Sequence, residues 1–291
     1  MRSKAISSPG LRLLPLLLLL LALPYRAGAQ TAYNPEFLGN AAPAPRTGFS
    51  PKIFLDYFNQ NSISGNDVEL AVEPQYWIAG FSGNTAKDWL QFLVHVPVGY
   101  RSQDLGGTTS SSFSLGSIGV QAESFVNLAS GKDAVWWFDN GLAVGLPTST
   151  GVQGLRIGGN SFSVTWFQEN YVRLGAWIFS VSPIALTYSF QDVATGVTPG
   201  LSMGVMNSAF GYEVSDVVTL GVTTAYLLGN LAGSNDGTGK TLGVTQRLYV
   251  GPAFCFSFPN DIALQASIMI DVYTQNTTRG QGVAVAFWHM F

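Results

Sequence analysis

The chain has 291 residues, 47% hydrophobic and only 11% charged, whereas roughly 25% of an average soluble protein is charged. With 33 Gly, 7 Trp, 11 Tyr, 19 Phe and a formal net charge of −3, it falls outside the disordered, coiled-coil and basic nucleic-acid-binding classes. Two classes stay open: a soluble protein with an outsized core, and a protein whose solvent is partly lipid.

Arg2, Lys4 and Arg12 precede an apolar block over 13–23 that is broken by Pro15 and falls short of the roughly 20 residues of a membrane helix. Ala27, Gly28 and Ala29 then supply the small residues of a signal-peptidase site. The pattern predicts a signal peptide over 1–29, cleaved before Gln30, and an exported protein. Cleavage removes four of the 14 basic residues and none of the 17 acidic ones, leaving a formal net charge of −7, which disfavours nucleic acid as a partner. Residues 30–48 carry three prolines and no alternation, and read as an extended periplasmic lead ahead of a barrel over 49–291. Cys255 is the only cysteine, so no intrachain disulfide forms, and it reads as a small apolar strand residue.

Beyond residue 30 no stretch has 18 consecutive apolar residues, and the recurring signal is period two. Over 68–79, Leu70, Val72, Tyr76 and Ile78 alternate with Glu69, Glu73 and Gln75. Further strands are expected over 90–100 and 115–128, around Leu142, and over 217–229 and 242–256. Over 261–273 the even positions Ile262, Leu264, Ala266, Ile268, Ile270 and Val272 are apolar, while the odd ones include Gln265, Ser267 and Asp271. Successive strand side chains point to opposite faces, so each segment has one apolar and one polar surface. A soluble sandwich alternates too, but its strands are nearer five or six residues, whereas about 9–11 cross a bilayer at a tilt. Aromatic residues gather near strand ends, among them Tyr76, Trp77, Trp89, Tyr100, Trp136, Trp137, Tyr188, Phe190, Phe254 and Phe256. Such positions fit the interfacial girdles of a membrane barrel.

At the C-terminus Val283, Val285, Phe287 and Phe291 share one face, with His289 as the departure. This strand resembles the recognition signal that the barrel-assembly machinery of bacterial outer membranes reads, with Phe287 and Phe291 as its aromatic positions. The connections alternate in length. Those over 101–114, 147–160, 191–199, 230–241 and 274–281 are long, and those over 129–133, 213–216 and 257–260 are short. Residues 80–87 act as a further turn. Residues 161–190 must then hold one hairpin, its turn near 169–171 or near 182–183, where Pro183 suits a turn better than a central strand. The count is about 12 strands in an all-β, transmembrane antiparallel barrel with both termini periplasmic, in the outer membrane of a Gram-negative bacterium.

Motifs for catalysis or for cofactors are scarce. Two histidines and one cysteine make no multi-ligand metal centre, and no serine stands beside either histidine as a hydrolase would need. No cofactor and no enzymatic activity are expected. The segment from Gly237 to Thr241 looks like the end of a phosphate loop, but it joins two strands and Ser234 stands where the first glycine belongs. The polar face holds the functional constellation. Period two places Asp56, Glu69, Glu73, His95, Glu123, Arg247 and Asp271 inward, with Arg173 if its strand keeps register. An Arg facing lipid near the midplane costs roughly 2–4 kcal/mol, which favours the lumen for Arg247. The same faces carry Trp77, Trp89, Leu93, Phe125, Tyr249 and Met269, a lining suited to an amphipathic or apolar small solute.

Ser117, Ile118, Gly119 and Val120 followed by Phe125, the strand end Gly145, Leu146, Pro147 and Thr148, and the run from Ile184 to Tyr188 together resemble the MetA-pathway of phenol degradation family. The resemblance spans most of the mature chain. It implies an outer-membrane barrel taking up small aromatic or other hydrophobic compounds, somewhat like the fatty-acid and toluene transporters, with outer-membrane lipids and the assembly machinery as partners. It supplies no binding residues. Two further readings are weighed: a structural or adhesive barrel with a filled lumen acting through its outer loops, and an outer-membrane lipid-modifying enzyme using His95.

Overall fold

The computed structural model describes residues 47–60, 65–81, 88–105, 108–131, 134–151, 155–156, 158–258, 262–277 and 279–289. The expected signal peptide, most of the 30–48 lead, and Phe291 lie outside them. Thirteen strands follow in chain order: β1 (Gly48–Gln60), β2 (Gly65–Ala79), β3 (Asp88–Leu105), β4 (Thr108–Leu115), β5 (Gly119–Ser130), β6 (Ala134–Gly145), β7 (Ser163–Leu174), β8 (Trp177–Ser189), β9 (Gly200–Glu213), β10 (Val218–Ala232), β11 (Thr245–Phe258), β12 (Ile262–Gln275) and β13 (Gly280–His289). All neighbouring pairs are antiparallel, β1 pairs with β13, and β2 with β3 closes the ring. Because β4 and β5 both pair with β3, they are two halves of one stave, and the barrel has 12 staves. Their even number brings both ends of the described chain to one rim, together with the short turns.

Alternation explains the closure. Ile53, Leu55, Leu70, Val72, Ile268, Ile270 and Val283 are exposed on the outer wall, while Asp56, Glu69, Glu73, Ser267, Asp271, Ala284 and Ala286 are buried inside. In water such an outer wall would be an aggregation surface, whereas in lipid it matches its solvent. Full pairing leaves no sheet edge, the condition for strands to cross hydrocarbon. The interior is packed closely enough to require glycine: a Cβ on Gly141 would stand 2.1 Å from the ring of Phe167, its partner on β7.

Three expectations need correction. The 161–190 hairpin turns at Gly175 and Ala176, with Leu174 opposite Trp177, and not near 169–171 or 182–183. Gly175 has φ +60°, the left-handed conformation that a two-residue hairpin turn requires. A register shift opposite Glu169, where Ser182 and Pro183 of β8 together face that one residue of β7, interrupts the alternation of β8 and imitates a turn in the sequence. Pro183 sits in that bulge of β8, where no ladder donor is needed, and Ser182 Oγ donates to the Gln168 carbonyl at 2.7 Å.

The second correction concerns 101–114, which is not an irregular loop. Arg101 pairs with Ser112 and Leu105 with Thr108, so β3 and β4 extend as a hairpin. Third, the strand expected over 115–128 is broken at 116–118. Opposite the break lies Pro97, which has no N–H to give. Its carbonyl accepts from the Gly116 N–H at 2.8 Å, while Thr148 Oγ1 takes the Ile118 N–H at 2.8 Å.

Candidate functional site

The lumen is layered. Next to the short-turn rim is an aromatic tier of Trp77 at the end of β2, Trp89 at the start of β3, Phe125 on β5 and Trp137 on β6. Trp89 lies 4.2 Å from Trp137, 5.6 Å from Phe125 and 6.0 Å from Trp77 between ring centroids, and Trp77 lies 5.2 Å from Phe125. Trp89 is 1% exposed. The girdle expected of Trp77, Trp89 and Trp137 is thereby corrected: their parity turns them inward, and Tyr76, Trp177 and Tyr212 stand on the outer wall at that rim. Among the described residues the indole N–H groups of Trp77, Trp89 and Trp137 have no hydrogen-bond partner, so this tier offers donors as well as ring faces.

A carboxylate tier lies above it. Glu69 and Glu73 share one face of β2, and Asp56 on β1 is the register partner of Glu69 as Lys52 is of Glu73. His95 on β3 meets Glu73 Oε1 through Nδ1 at 2.8 Å and has Glu69 Oε1 3.9 Å from Nε2. The imidazole is thus held between two carboxylates, whereas a serine hydrolase sets a serine hydroxyl against it. Glu123 is buried on β5 beside Gln121 and opposite Gln91. Asp139 on β6 and Glu169 on β7 are register partners, and Ser180 Oγ donates to Glu169 at 2.7 Å.

Arginine–carboxylate pairs lock both rims. Towards the long-connection rim Arg247 grips Asp271 through Nε and Nη2 at 2.7–2.9 Å, and Arg101 grips Asp67 through Nε and Nη2 at 2.7 and 2.8 Å. Near the short turns Arg173 Nη2 donates to Glu213 at 2.6 Å. Among the described residues no group of three or more His, Cys, Asp or Glu is placed to hold a metal ion.

Sequence reasoning missed several lumen residues. Lys52 shares the inward face of Asp56 by period two and is buried there, with no alternating run around it in the sequence to mark it. Arg101 falls in the 101–114 stretch expected as a connection, Asp67 lies just before the strand expected over 68–79, and Glu169 and Tyr171 fall in the misplaced turn. Trp288, buried on β13, lies between positions read for their outward face. Of the two assembly-signal positions, Phe287 is exposed on the outer wall, paired with Ile53 and Leu264, and Phe291 is outside the described residues.

The long connections are tied by carboxylates. Asp236 Oδ1 accepts from the N–H groups of Thr238 and Lys240 at 2.9 and 3.2 Å, so the phosphate-loop-like segment turns its donors onto its own aspartate. Asp192 accepts from the N–H groups of Asn160, Ala194 and Thr195 at 2.7–2.9 Å. Partial burial raises the Asp192 carboxyl, but these donors outweigh it and hold the group below the ordinary carboxylate range. A depressed native value gives stabilisation that is present above about pH 4 and is lost as pH falls through that lower value. We expect acid to expose the 190–199 connection to pepsin, and Asp192→Ala to expose it to a neutral protease at pH 7. Equal cleavage of variant and parent at pH 7 would discount this tie.

No protein-family model matches the chain, and no curated protein matches its sequence. Solved structures do match in fold. The COG4313 outer membrane channel from Pseudomonas putida F1 aligns with a TM-score of 0.67 at 12% identity, over 87% of this chain and 99% of that one. The β domain of the Bordetella autotransporter BrkA aligns with 0.48 at 10% identity, over 84% and 99%, and the KdgM porin with 0.41 at 8%, over 82% and 99%. The first likeness places this chain in the fold of the outer-membrane β-barrels.

Proposed function

We propose that the protein is an outer-membrane channel for small hydrophobic or aromatic solutes. The observation that carries the reading is the interior tier of Trp77, Trp89, Phe125 and Trp137, ring faces turned to the lumen directly beneath a polar tier. A simple ion pore has no use for that lining, whereas an amphipathic solute meets ring faces, indole donors and carboxylate acceptors in turn. The sequence resemblance and the likeness of fold point to the same group of channels. In this reading residues 1–29 direct export, both termini face the periplasm, and Phe287 and Phe291 engage the assembly machinery. The partners are outer-membrane lipids and the solute.

Proteoliposomes holding the purified barrel are expected to admit a small aromatic such as phenol faster than protein-free liposomes do, and faster than they admit a sugar of similar mass. A specific observation favours a second reading, the filled structural or adhesive barrel: the four rings, on neighbouring staves, pack on one another inside the wall. Impermeability to every solute tried, with surface binding that is lost on deletion of the long connections, would select it.

A further inference from the structure

Between the two rims the outer wall is apolar on most staves: Leu55 on β1, Val72 on β2, Val94 on β3, Val222 on β10 and Ile268 on β12 are exposed there. β6 and β7 break that rule. Asn140 in the middle of β6 and Gln168 in the middle of β7 share the outward parity of Leu142 and Trp166, and they are register partners. Asn140 is exposed and Gln168 partly buried. Asn170 follows on the same side of β7 and is buried. Ile184, the partner of Gln168 on β8, lies between Trp177 at the short-turn end and Tyr188 at the other, both exposed on the outer wall. The amides therefore sit at the depth of hydrocarbon and not in either interfacial belt.

The hydrogen bonds of these amides are incomplete. Trp166 Nε1 donates to Asn140 Oδ1 at 2.9 Å and Trp136 Nε1 to Asn170 Oδ1 at 3.1 Å, which occupies the oxygens and leaves the Nδ2 hydrogens. Asn170 Nδ2 is buried without a partner, and the Asn140 Nδ2 group and the Gln168 amide make no side-chain hydrogen bond among the described residues. An amide without a partner in hydrocarbon is costly, and acyl chains cannot supply one. Relief requires a protein surface with amides at the same depth, which a second copy of this chain carries by construction. Rotation about the membrane normal preserves depth, so a two-fold axis sets this strip against itself. Adjacent staves lie about 4.8 Å apart, so Asn140 and Gln168 differ in depth by no more than a side chain spans. A primary amide both donates and accepts, which meets the self-complementarity of an isologous contact. Leu142 and Trp166, 51% and 40% exposed, supply apolar surface beside it.

We infer that the outer wall of β6 and β7 is a dimerisation face, on which two copies related by a two-fold axis along the membrane normal exchange hydrogen bonds between their Asn140 and Gln168 amides. The two lumens stay separate, so the dimer is independent of what either one admits.

The test uses the purified full barrel, with its mass in detergent measured by analytical ultracentrifugation and its contacts in liposomes by disulfide trapping. Cys255 is 0% exposed and does not compete for the oxidant. Leu142→Cys, which leaves the amides in place, is expected to trap a dimer with its own copy, whereas Ile268→Cys, on β12 across the ring, is expected to stay monomeric on the gel. Asn140→Leu combined with Gln168→Leu is expected to weaken association about tenfold, as the loss of two hydrogen bonds implies, and to lower trapping through Leu142→Cys in step. Heat-modifiable migration checks that the double variant is folded, and Gln168→Leu alone serves if it is not. A monomer in both settings, a higher oligomer, association unchanged by the leucine variants, or equal trapping through Ile268→Cys overturns the inference.

Discussion

Replacing Arg247 by Met lowers the resistance of the barrel to unfolding by about 3–5 kcal/mol, the usual cost of stranding one partner of a buried ion pair. Asp271 is 0% exposed and accepts from Arg247 Nε, Arg247 Nη2 and the Gly280 N–H, the last at 2.6 Å. Without the guanidinium only that one backbone donor is left to a fully buried carboxylate. The loss extends beyond charge, because the same guanidinium lies over Phe58 and Tyr249 and ties β11 and β12 to β1. Arg247→Lys keeps the charge but loses the two-pronged grip, so an intermediate loss is expected. Adding Asp271→Asn to the Met variant removes the stranded charge and is expected to recover most of the stability. The check is urea unfolding of the lipid-reconstituted barrel followed by tryptophan fluorescence. A double variant no more stable than Arg247→Met alone would show that packing, and not the buried charge, sets the cost.

That pair also marks how far the sequence could be read. The inward placement of Asp271 and Arg247 follows from alternation, since one-residue steps swap faces and apolar partners fix which face meets lipid. Their mutual contact does not follow. Arg247 stands opposite Thr274 by register, and the shift between Leu248 and Tyr249 re-aims the strands so that the guanidinium reaches Asp271. The same physics explains the failures. The β8 bulge at Ser182 and Pro183 and the 116–118 break are places where one extra residue or a missing N–H resets the parity, and a period-two reading carries no memory across such a reset. Gly175 and Ala176 lack the polar cluster that usually announces a turn, and lie between Leu174 and Trp177, so the hairpin was invisible locally. The 12 staves were legible because counting depends on the alternation of long and short connections, which one slipped turn leaves intact.

Trp89→Ala is expected to have the second large effect, and it separates an open channel from a filled barrel. Trp89 touches Trp77, Phe125 and Trp137 at once, so its removal takes the central ring out of the tier. Truncating a buried Trp to Ala costs about 3–5 kcal/mol when the neighbours cannot collapse into the space, and here they are fixed to paired staves on either side. The space left faces the polar tier and its carboxylates, so water enters it, unlike a sealed apolar cavity. In the channel reading proposed above, single-channel conductance should then rise in Trp89→Ala relative to the parent, while discrimination in favour of aromatic solutes falls, because that reading assigns the selection to these ring faces. Trp89→Phe preserves a ring and is expected to keep most of the selectivity at a smaller stability cost. If the alanine variant loses stability by the stated amount yet stays as impermeable as the parent, the tier is structural filling and the conducting path assigned to this lumen fails.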